Sequence, residues 1–225
     1  MTRIIAGSAG GRTLRTPRGR DTRPTTDRVR EALFSRVEAL MDLDGARVLD
    51  LYAGSGALGL EALSRGAAHL LAVERHRPTA RLVETNARDL GLADRVVVLA
   101  APVEAVLEAG PSGDTDPSGT EQDVAEQDVA EQNVAEPGST EPPGDGEPGG
   151  TAYHLVLADP PYPVGEEELA GVLAALVDHG WLDPEALVVL ERSARSPEPT
   201  WPAGLAHLGT RTYGETALHL AEPSG

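Results

Sequence analysis

The sequence predicts an α/β fold built around a mostly parallel sheet, and three observations carry this prediction. Five apolar runs are continuous rather than alternating, which is typical of strands covered on both faces. Helical segments separate these runs, as in a doubly wound fold. A glycine-rich turn follows the first of the five runs. A chain of 225 residues is long enough for one such domain with a sizeable core.

The predicted strands of the sheet are short and apolar, and Asp50, Glu74 and Asp159 lie at or directly after the ends of three of them. We place them at residues 46–51, 69–73, 95–99, 153–158 and 186–191. The tail, 206–222, breaks the alternation with two strand-like runs that meet at Gly214. We expect an antiparallel hairpin there, at the edge of the sheet.

Helices are predicted from apolar spacing and from residues that start or stop a helix. Residues 58–64 end before Gly66, and residues 166–179 end before Gly180. Residues 78–90 carry Pro78 in the first turn and Gly91 just past the end, which is the usual asymmetry of helix termini.

Charge is distributed very unevenly along the chain. The net charge is −17, yet residues 110–150 hold eleven acidic residues and no basic one, which leaves −6 on the rest. Residues 1–36 hold nine arginines against three acids. The average therefore hides a basic N-terminal arm, and a nucleic-acid partner is not excluded.

The acidic stretch 110–150 repeats the pentad EQDVA and is rich in Pro and Gly. It offers too little apolar surface to offset the entropy of ordering it, so we expect a disordered insert. A tolerated insertion explains it, and so does an acidic mimic of RNA that covers the basic arm.

Several classes of function are excluded or disfavoured by composition. The chain has no cysteine, which excludes disulfides and thiolate catalysis. Its start lacks the apolar core of a signal peptide, and no run is long enough to span a membrane. The six histidines show no metal-ligand spacing. We therefore expect a cytoplasmic protein that binds neither a membrane nor a metal.

Ligands of such sheets lie at the carboxyl ends of the strands, where Asp50, Glu74 and Asp159 are expected. The run "DLYAGSGALGLEAL" fits G-x-G-x-x-G between a strand and a helix, which indicates NAD, FAD or S-adenosylmethionine. A carboxylate directly before the turn would repel a pyrophosphate but attract a methionine ammonium. Glu74 is placed to accept the ribose hydroxyls, although a solvated strand end explains it as well.

Three segments together resemble the bacterial RsmD family: "RPTTDRVREALF" at 23–34, "DLYAGSGALGLEALSRGA" at 50–67 and "DPPY" at 159–162. The resemblance implies a Rossmann-like class I methyltransferase with a seven-stranded sheet, an antiparallel C-terminal hairpin and a small N-terminal arm of hairpin and helix. It also implies transfer of a methyl group from S-adenosylmethionine to N2 of a guanine in 16S rRNA, free or in a small-subunit assembly intermediate. We expect an arm at 1–40, a core at 41–225 and a monomer.

The Asp-Pro-Pro-Tyr corner has a physical explanation in this chemistry. An exocyclic amine is a poor nucleophile because its lone pair is delocalised into the ring. If the Asp159 carboxylate and the Pro160 carbonyl each accept one N–H, the lone pair points at the methyl group, and Pro161 keeps the corner rigid. Tyr162 would stack on the extruded base. A helix-entry turn capped by Asp159 is the structural alternative.

The resemblance also implies contacts for the cofactor and the RNA. The predicted cofactor site comprises Asp50, Tyr52, Ala53, Gly54, Ser55, Gly56, Glu74, Arg75, Thr25, Thr26 and Arg28. The predicted RNA contacts are Arg12, Arg15, Arg18, Arg20 and Arg23, with phosphates also within reach of Arg28, Arg30 and Arg36. Helix capping by Thr25 or Thr26 and ordinary surface charge explain many of these residues equally well.

One position departs from the family pattern. Where related enzymes offer an Asp or Asn to the adenine, this chain has Ala100 and Ala101, so a backbone carbonyl would have to serve. Adenine N6 or cytosine N4 in DNA or another RNA remains an alternative substrate. An NAD-dependent oxidoreductase would share the glycine turn, and a non-catalytic RNA-binding module would share the basic arm.

The insert gives a first prediction. Replacing residues 111–149 by a short Gly-Ser linker should leave the melting temperature nearly unchanged, because each doubling of a flexible loop costs only about 0.6 kcal/mol. Differential scanning calorimetry of the two proteins measures this. A large loss of stability would refute the assignment of disorder.

Overall fold

The computed structural model describes residues 2–17, 26–111, 152–161 and 164–224. Nearly all of the acidic insert, together with Arg18, Arg20, Arg23, Thr25 and Tyr162, lies outside these ranges. The predicted roles of these residues stay predictions.

Strands and helices alternate through most of the described chain. The strands are β1 Thr2–Arg3, β2 Thr13–Leu14, β3 Arg47–Leu51, β4 His69–Val73, β5 Val96–Leu99, β6 Tyr153–Ala158, β7 Leu182–Ser193, β8 Leu205–Tyr213 and β9 Thr216–Pro223. The helices are α1 Asp27–Glu38, α2 Ala57–Ser64, α3 Arg77–Leu90, α4 Val103–Ala109 and α5 Glu166–Asp178, with a 3₁₀ turn at Ala93–Arg95.

β3 to β9 form one seven-stranded sheet in the order β5-β4-β3-β6-β7-β9-β8. The first five of these strands are parallel, whereas β9 runs antiparallel to both β7 and β8. β1 and β2 pair separately as a short N-terminal hairpin. The predicted mostly parallel sheet with an antiparallel C-terminal hairpin is confirmed.

Both faces of the sheet are covered, as the continuous apolar runs predict. A first hydrophobic cluster joins one face to the N-terminal arm, α1, α2 and α3; it includes Ile4, Phe34, Leu60, Val83, Leu157 and Val189. A second joins the opposite face to α4 and α5; it includes Leu49, Leu107, Val156, Leu169 and Leu173. The arm thus shares a core with the sheet, and the division at residue 40 stays a prediction. Among the described residues, no helix is both long and apolar enough to cross a membrane.

Two elements differ from the sequence prediction. β7 begins at Leu182, four residues before the predicted strand, and contains Pro184. Leu182 pairs with Tyr153, and Leu187 then pairs with Leu155. This irregularity accommodates a proline, which has no N–H to give to the ladder. Helix α4 is not predicted either, because its seven residues are too few to show a helical period.

Helix α1 begins as predicted. The hydroxyl of Thr26 accepts the Val29 N–H at 3.3 Å, so Thr26 is the N-cap residue. Val29, Leu33 and Val37 are buried against the core.

A fully buried acid, Glu61 of α2, ties the N-terminal arm to the core. Its two carboxylate oxygens accept the backbone N–H groups of Ile5 at 2.6 Å and Ala6 at 3.0 Å. Arg65 donates its Nε–H to the same carboxylate at 2.8 Å, and Arg30 Nε lies 4.0 Å away. Two backbone N–H groups and two arginine side chains therefore stabilise the buried carboxylate.

Arg30 itself is buried, with 1% of its surface exposed. It donates to the Arg3 carbonyl and, at 2.9 Å, to the Asp27 carboxylate. The expectation that Arg30 meets phosphates is wrong, because its guanidinium faces the interior of the protein.

The buried network predicts unequal effects for two glutamates that share Arg65. Glu61→Ala should lower the free energy of unfolding by about 3–5 kcal/mol, because it leaves buried donors and charge unpaired. Glu38 bonds the same Arg65 but is largely exposed, so Glu38→Ala should cost less than about 1 kcal/mol. Urea unfolding measures both. Equal losses would show that Glu61 does not anchor the arm.

Candidate active site

Three carboxylates lie side by side where three neighbouring parallel strands end. Asp50 is the penultimate residue of β3, Asp159 directly follows β6, and Glu191 lies near the end of β7. The register sets Asp159 level with Glu191, because Ala158 pairs with Leu190, whereas Asp50 pairs with Leu157 and lies two positions earlier on the neighbouring strand. We refer to Asp50, Asp159 and Glu191 as the carboxylate row.

The carboxylate row belongs to one face of the sheet. Each of its residues comes two positions after a residue of the first hydrophobic cluster, and side chains two positions apart share a face. The preceding residues are Val48, Leu157 and Val189. The row therefore lies on the face that α1, α2 and α3 cover.

Asp50 is 1% exposed and has a shifted pKa. The pKa of Asp50 is raised to about 7, mainly by burial; the hydrogen bond from the Gly59 N–H opposes this rise and the charge of Glu74 contributes to it. That bond, at 2.9 Å to Oδ2, joins the end of β3 to the first turn of α2. A Cβ at Gly59 would lie 2.5 Å from Leu70 Cδ1 and 3.0 Å from Asp50 Oδ2, so only glycine allows this approach.

The turn between Asp50 and α2 has an unusual backbone. Tyr52 has φ 62°, in the left-handed region, and Gly54 and Gly56 follow with φ 56° and 78°. A side chain in that region costs about 1–3 kcal/mol. The turn is held by the Ala53 N–H, which donates to the Val73 carbonyl at 2.9 Å, and by the Gly56 N–H, which donates to the Ala53 carbonyl at 2.7 Å.

Glu74 faces the glycine turn from the end of the neighbouring strand β4. It accepts the Gly54 N–H at 3.1 Å and the His76 N–H at 2.8 Å, one on each oxygen. These bonds fix the plane of the carboxylate, and each oxygen retains a second lone pair for a ligand.

The side chain of Tyr52 packs on the opposite side, against the second hydrophobic cluster. Its hydroxyl is buried and has no hydrogen-bond partner among the described residues. Burial raises the pKa of Tyr52, and the charges of Glu104 and Glu168 add to the effect. The hydroxyl therefore keeps its proton, and no described residue accepts a hydrogen bond from it.

The Asp-Pro-Pro corner follows β6 at the centre of the carboxylate row. Burial raises the pKa of Asp159 well above its usual range, and the charges of Glu191 and Asp50 raise it further. Pro160 is half-buried and Pro161 exposed. The Pro161 carbonyl accepts the Val164 N–H at 3.0 Å. The N-cap residue of helix α5 is Gly165, six positions after Asp159, so Asp159 is not its N-cap.

Several predicted cofactor residues have mainly structural contacts. Thr26 caps α1, and the Ser55 carbonyl accepts the Asn86 side-chain N–H at 2.9 Å. Arg28 and Arg75 are exposed. Ala100 and Ala101 follow β5 and offer only backbone groups.

Two arginines of the basic arm, Arg12 and Arg15, are bound to α3. Arg12 donates to the carbonyls of Leu90, at 2.8 Å, and Asp89. Arg15 forms an ion pair with the Asp89 carboxylate at 2.9 Å. Arg12 thereby satisfies the last carbonyls of the helix.

Sequence reasoning missed residues whose partners are distant in the chain. Asn86 is buried and joins the backbone of Arg15 to Ser55. Glu191 completes the carboxylate row. The signal for Glu61 is visible in the sequence, since it is the single acid in the apolar helix "ALGLEALS". Across the described ranges, no group of three or more His, Asp or Glu side chains could hold a metal ion.

The shifted pKa of Asp50 predicts a pH-dependent stability. The folded protein keeps the Asp50 proton up to about pH 7, whereas the unfolded chain releases it near 3.8, so the free energy of unfolding falls as the pH rises between these values. Asp50→Asn remains neutral and keeps an oxygen for the Gly59 N–H. Its stability relative to wild type should therefore grow by about 2–3 kcal/mol between about pH 5 and about pH 8.

Urea unfolding without ligand, at several pH values, measures this difference. Asp42→Asn, at an exposed position, is the matched control and should show a constant difference from wild type. A constant difference for Asp50→Asn as well would contradict the shifted pKa.

Comparison with known proteins places this arrangement in a family. The family model described as "Conserved hypothetical protein 95" matches residues 2–116 and 140–222. Ribosomal RNA small subunit methyltransferase D of Escherichia coli K12 is 31% identical over 97% of this chain and 88% of its own length.

Solved structures show the same fold. The Escherichia coli protein yhhF is 30% identical, with a TM-score of 0.73 over 99% of this chain and 98% of its own. Magnesium protoporphyrin IX methyltransferase of Synechocystis, solved with bound SAM, shares only the fold, with 13% identity and a TM-score of 0.55 over 88% of this chain and 79% of its own. The chain therefore belongs to the family described as conserved hypothetical protein 95, in agreement with the resemblance of its sequence to the RsmD family.

Proposed function

We propose that this protein transfers a methyl group from S-adenosylmethionine to the exocyclic N2 of a guanine in 16S rRNA. The observation that carries the proposal is the rigid Asp-Pro-Pro corner, which stands next to the buried Asp50 at the carboxyl edge of the sheet. Membership of the family supports the rRNA substrate, because a relative of similar length is a small-subunit rRNA methyltransferase. Neither an oxidoreductase nor a non-catalytic RNA-binding module explains the corner.

The residues at the edge of the sheet fit S-adenosylmethionine, which supplies an activated methyl group on a positively charged sulfur. The raised pKa of the buried Asp50 shows that the protein alone stabilises its charged form poorly. The ammonium group of the cofactor would stabilise that charged form. Glu74 has its carboxylate fixed by two backbone bonds and would accept the ribose hydroxyls. A Cβ at Gly54 would meet only the Tyr52 carbonyl, at 3.9 Å, so this side of the turn is open to a ligand.

The corner would orient the nucleophile. The Asp159 carboxylate and the Pro160 carbonyl accept the two N–H groups of the amine, which aims its lone pair at the methyl carbon. Because neither proline has an N–H, no donor of the corner competes for these acceptors. The preorganised acceptors also stabilise the positive charge that develops on the nitrogen.

The proton balance follows from the same geometry. The nitrogen gains the methyl group, becomes positively charged and then loses one N–H proton. Asp159 already accepts that N–H, and its raised pKa makes it a competent acceptor of the proton. The reaction needs no metal, because the leaving thioether is neutral and the amine is already bound at the carboxylate.

The remaining assignments follow from the substrate. We propose a cytoplasmic monomer that acts on 16S rRNA or on an assembly intermediate of the small subunit. Mass spectrometry of 16S rRNA from cells with and without the gene tests the activity. Loss of a single methylguanine without the gene would support it, and identical rRNA would refute it.

The corner predicts that binding and chemistry separate. Asp159→Asn and Asp159→Ala should slow single-turnover methylation by about 100- to 1000-fold, the scale for one preorganised contact to a reacting group. Binding of S-adenosylmethionine, measured by calorimetry, should be largely kept. Asp178→Asn, at an exposed position on α5, should change neither quantity. If Asp159→Ala protein that remains folded methylates normally, Asp159 is structural and the proposed mechanism fails.

A further inference from the structure

A shallow apolar depression lies between α1 and the C-terminal hairpin, on the same face of the sheet as the carboxylate row. Three strands and one helix contribute to it. We call it the hairpin groove; its lining comprises Leu33, Arg36, Val37, Val189, Arg211, Tyr213, Leu218 and Leu220. Its floor is aliphatic, whereas Arg36 and Arg211 are exposed and the Tyr213 ring is half-buried.

The register places the hairpin groove beside the Asp-Pro-Pro corner. Glu191 of the carboxylate row pairs with Leu218 of β9, and Leu218 pairs with Arg211 of β8. These paired residues share one level and one face of the sheet. Asp159 lies at the same level on β6, three strands from Arg211, which corresponds to about 14 Å at the usual strand spacing.

The two arginines of the groove differ from the other arginines nearby. Within the described part of the chain, neither Arg36 nor Arg211 forms an ion pair or a side-chain hydrogen bond. By contrast, Arg192 pairs with Glu166 and Arg195 pairs with Glu215. Two arginines of the N-terminal arm, Arg12 and Arg15, are likewise occupied by α3.

We propose that the hairpin groove binds the RNA strand that flanks the target guanine. Arg36 and Arg211 contact backbone phosphates, and a neighbouring base packs on Tyr213 and the aliphatic floor. The proposal rests on the proposed function, because the distance from Arg211 to Asp159 is that of a few nucleotides from the reacting base. It adds an RNA contact at α1 and the C-terminal hairpin to the contacts predicted for the arginines of residues 12–23.

The chemistry of the groove favours a nucleic acid over a protein partner. Two guanidinium groups that form no ion pair among the described residues suit phosphates. The carboxylate row beside them would repel an anion that did not pair with these guanidinium groups. An aromatic ring with an apolar surround offers a stacking platform for a base. An apolar segment of another protein would leave both arginines without partners.

The test compares single substitutions in the full-length protein. Arg36→Ala and Arg211→Ala should each raise the KM for 16S rRNA about tenfold, with kcat at saturating RNA and the affinity for S-adenosylmethionine unchanged. Each should also reduce the slope of log affinity against log salt by about 0.7, the value for one phosphate contact to a single strand. Arg195→Ala is the matched control, since Arg195 is exposed in the loop that follows β7 but is paired with Glu215.

Substitutions of Tyr213 distinguish stacking of a base on its ring from hydrogen bonding by its hydroxyl. Tyr213→Phe should retain the KM for RNA, and Tyr213→Leu, which keeps the groove filled, should raise it severalfold. An unchanged KM and salt slope in the arginine variants, with wild-type protein active, would overturn the inference about the groove alone. If the wild-type protein methylates no guanine-containing rRNA substrate, the proposed function is overturned instead.

Discussion

The hydrogen bond from the Gly59 N–H to the Asp50 carboxylate fixes the relation between the sheet and everything that surrounds the site. It holds the first turn of α2 against the end of β3, at a distance that only a glycine permits. The connecting turn is thereby compressed, and Tyr52 adopts a left-handed backbone. The glycine turn then meets Glu74 at the next strand end, which completes the surface for a ligand.

The buried acids of this protein fall into two groups. Glu61 is surrounded by two backbone donors and two arginines, and it stabilises the packing of the arm. Asp50 is buried and Asp159 half-buried beside further carboxylates, and their pKa values are raised. The same residue type therefore serves structure where its charge is balanced and serves binding where it is not. The charged forms of Asp50 and Asp159 are stabilised when a positively charged cofactor and an amine donor bind.

Local patterns in the sequence predicted the sheet, the glycine turn and the acids at strand ends, because each depends on neighbours in the chain. The role of Arg30 could not be predicted this way. Its residue type and helical position suit a surface phosphate contact, and only the fold brings it to Glu61, 31 positions away. Arg12 and Asn86 depend on distant partners in the same manner. The hairpin groove likewise arises from the pairing of β7, β9 and β8 with α1.

Asp50 stays partly protonated near neutral pH until a positively charged cofactor binds, and the proposed cofactor site depends on this property. Calorimetric titration with S-adenosylmethionine, in two buffers of different ionisation enthalpy, counts the protons released. At about pH 6.5 the account predicts release of roughly one proton per cofactor bound, falling toward zero above about pH 8.5. Binding without proton release at the lower pH would contradict the account.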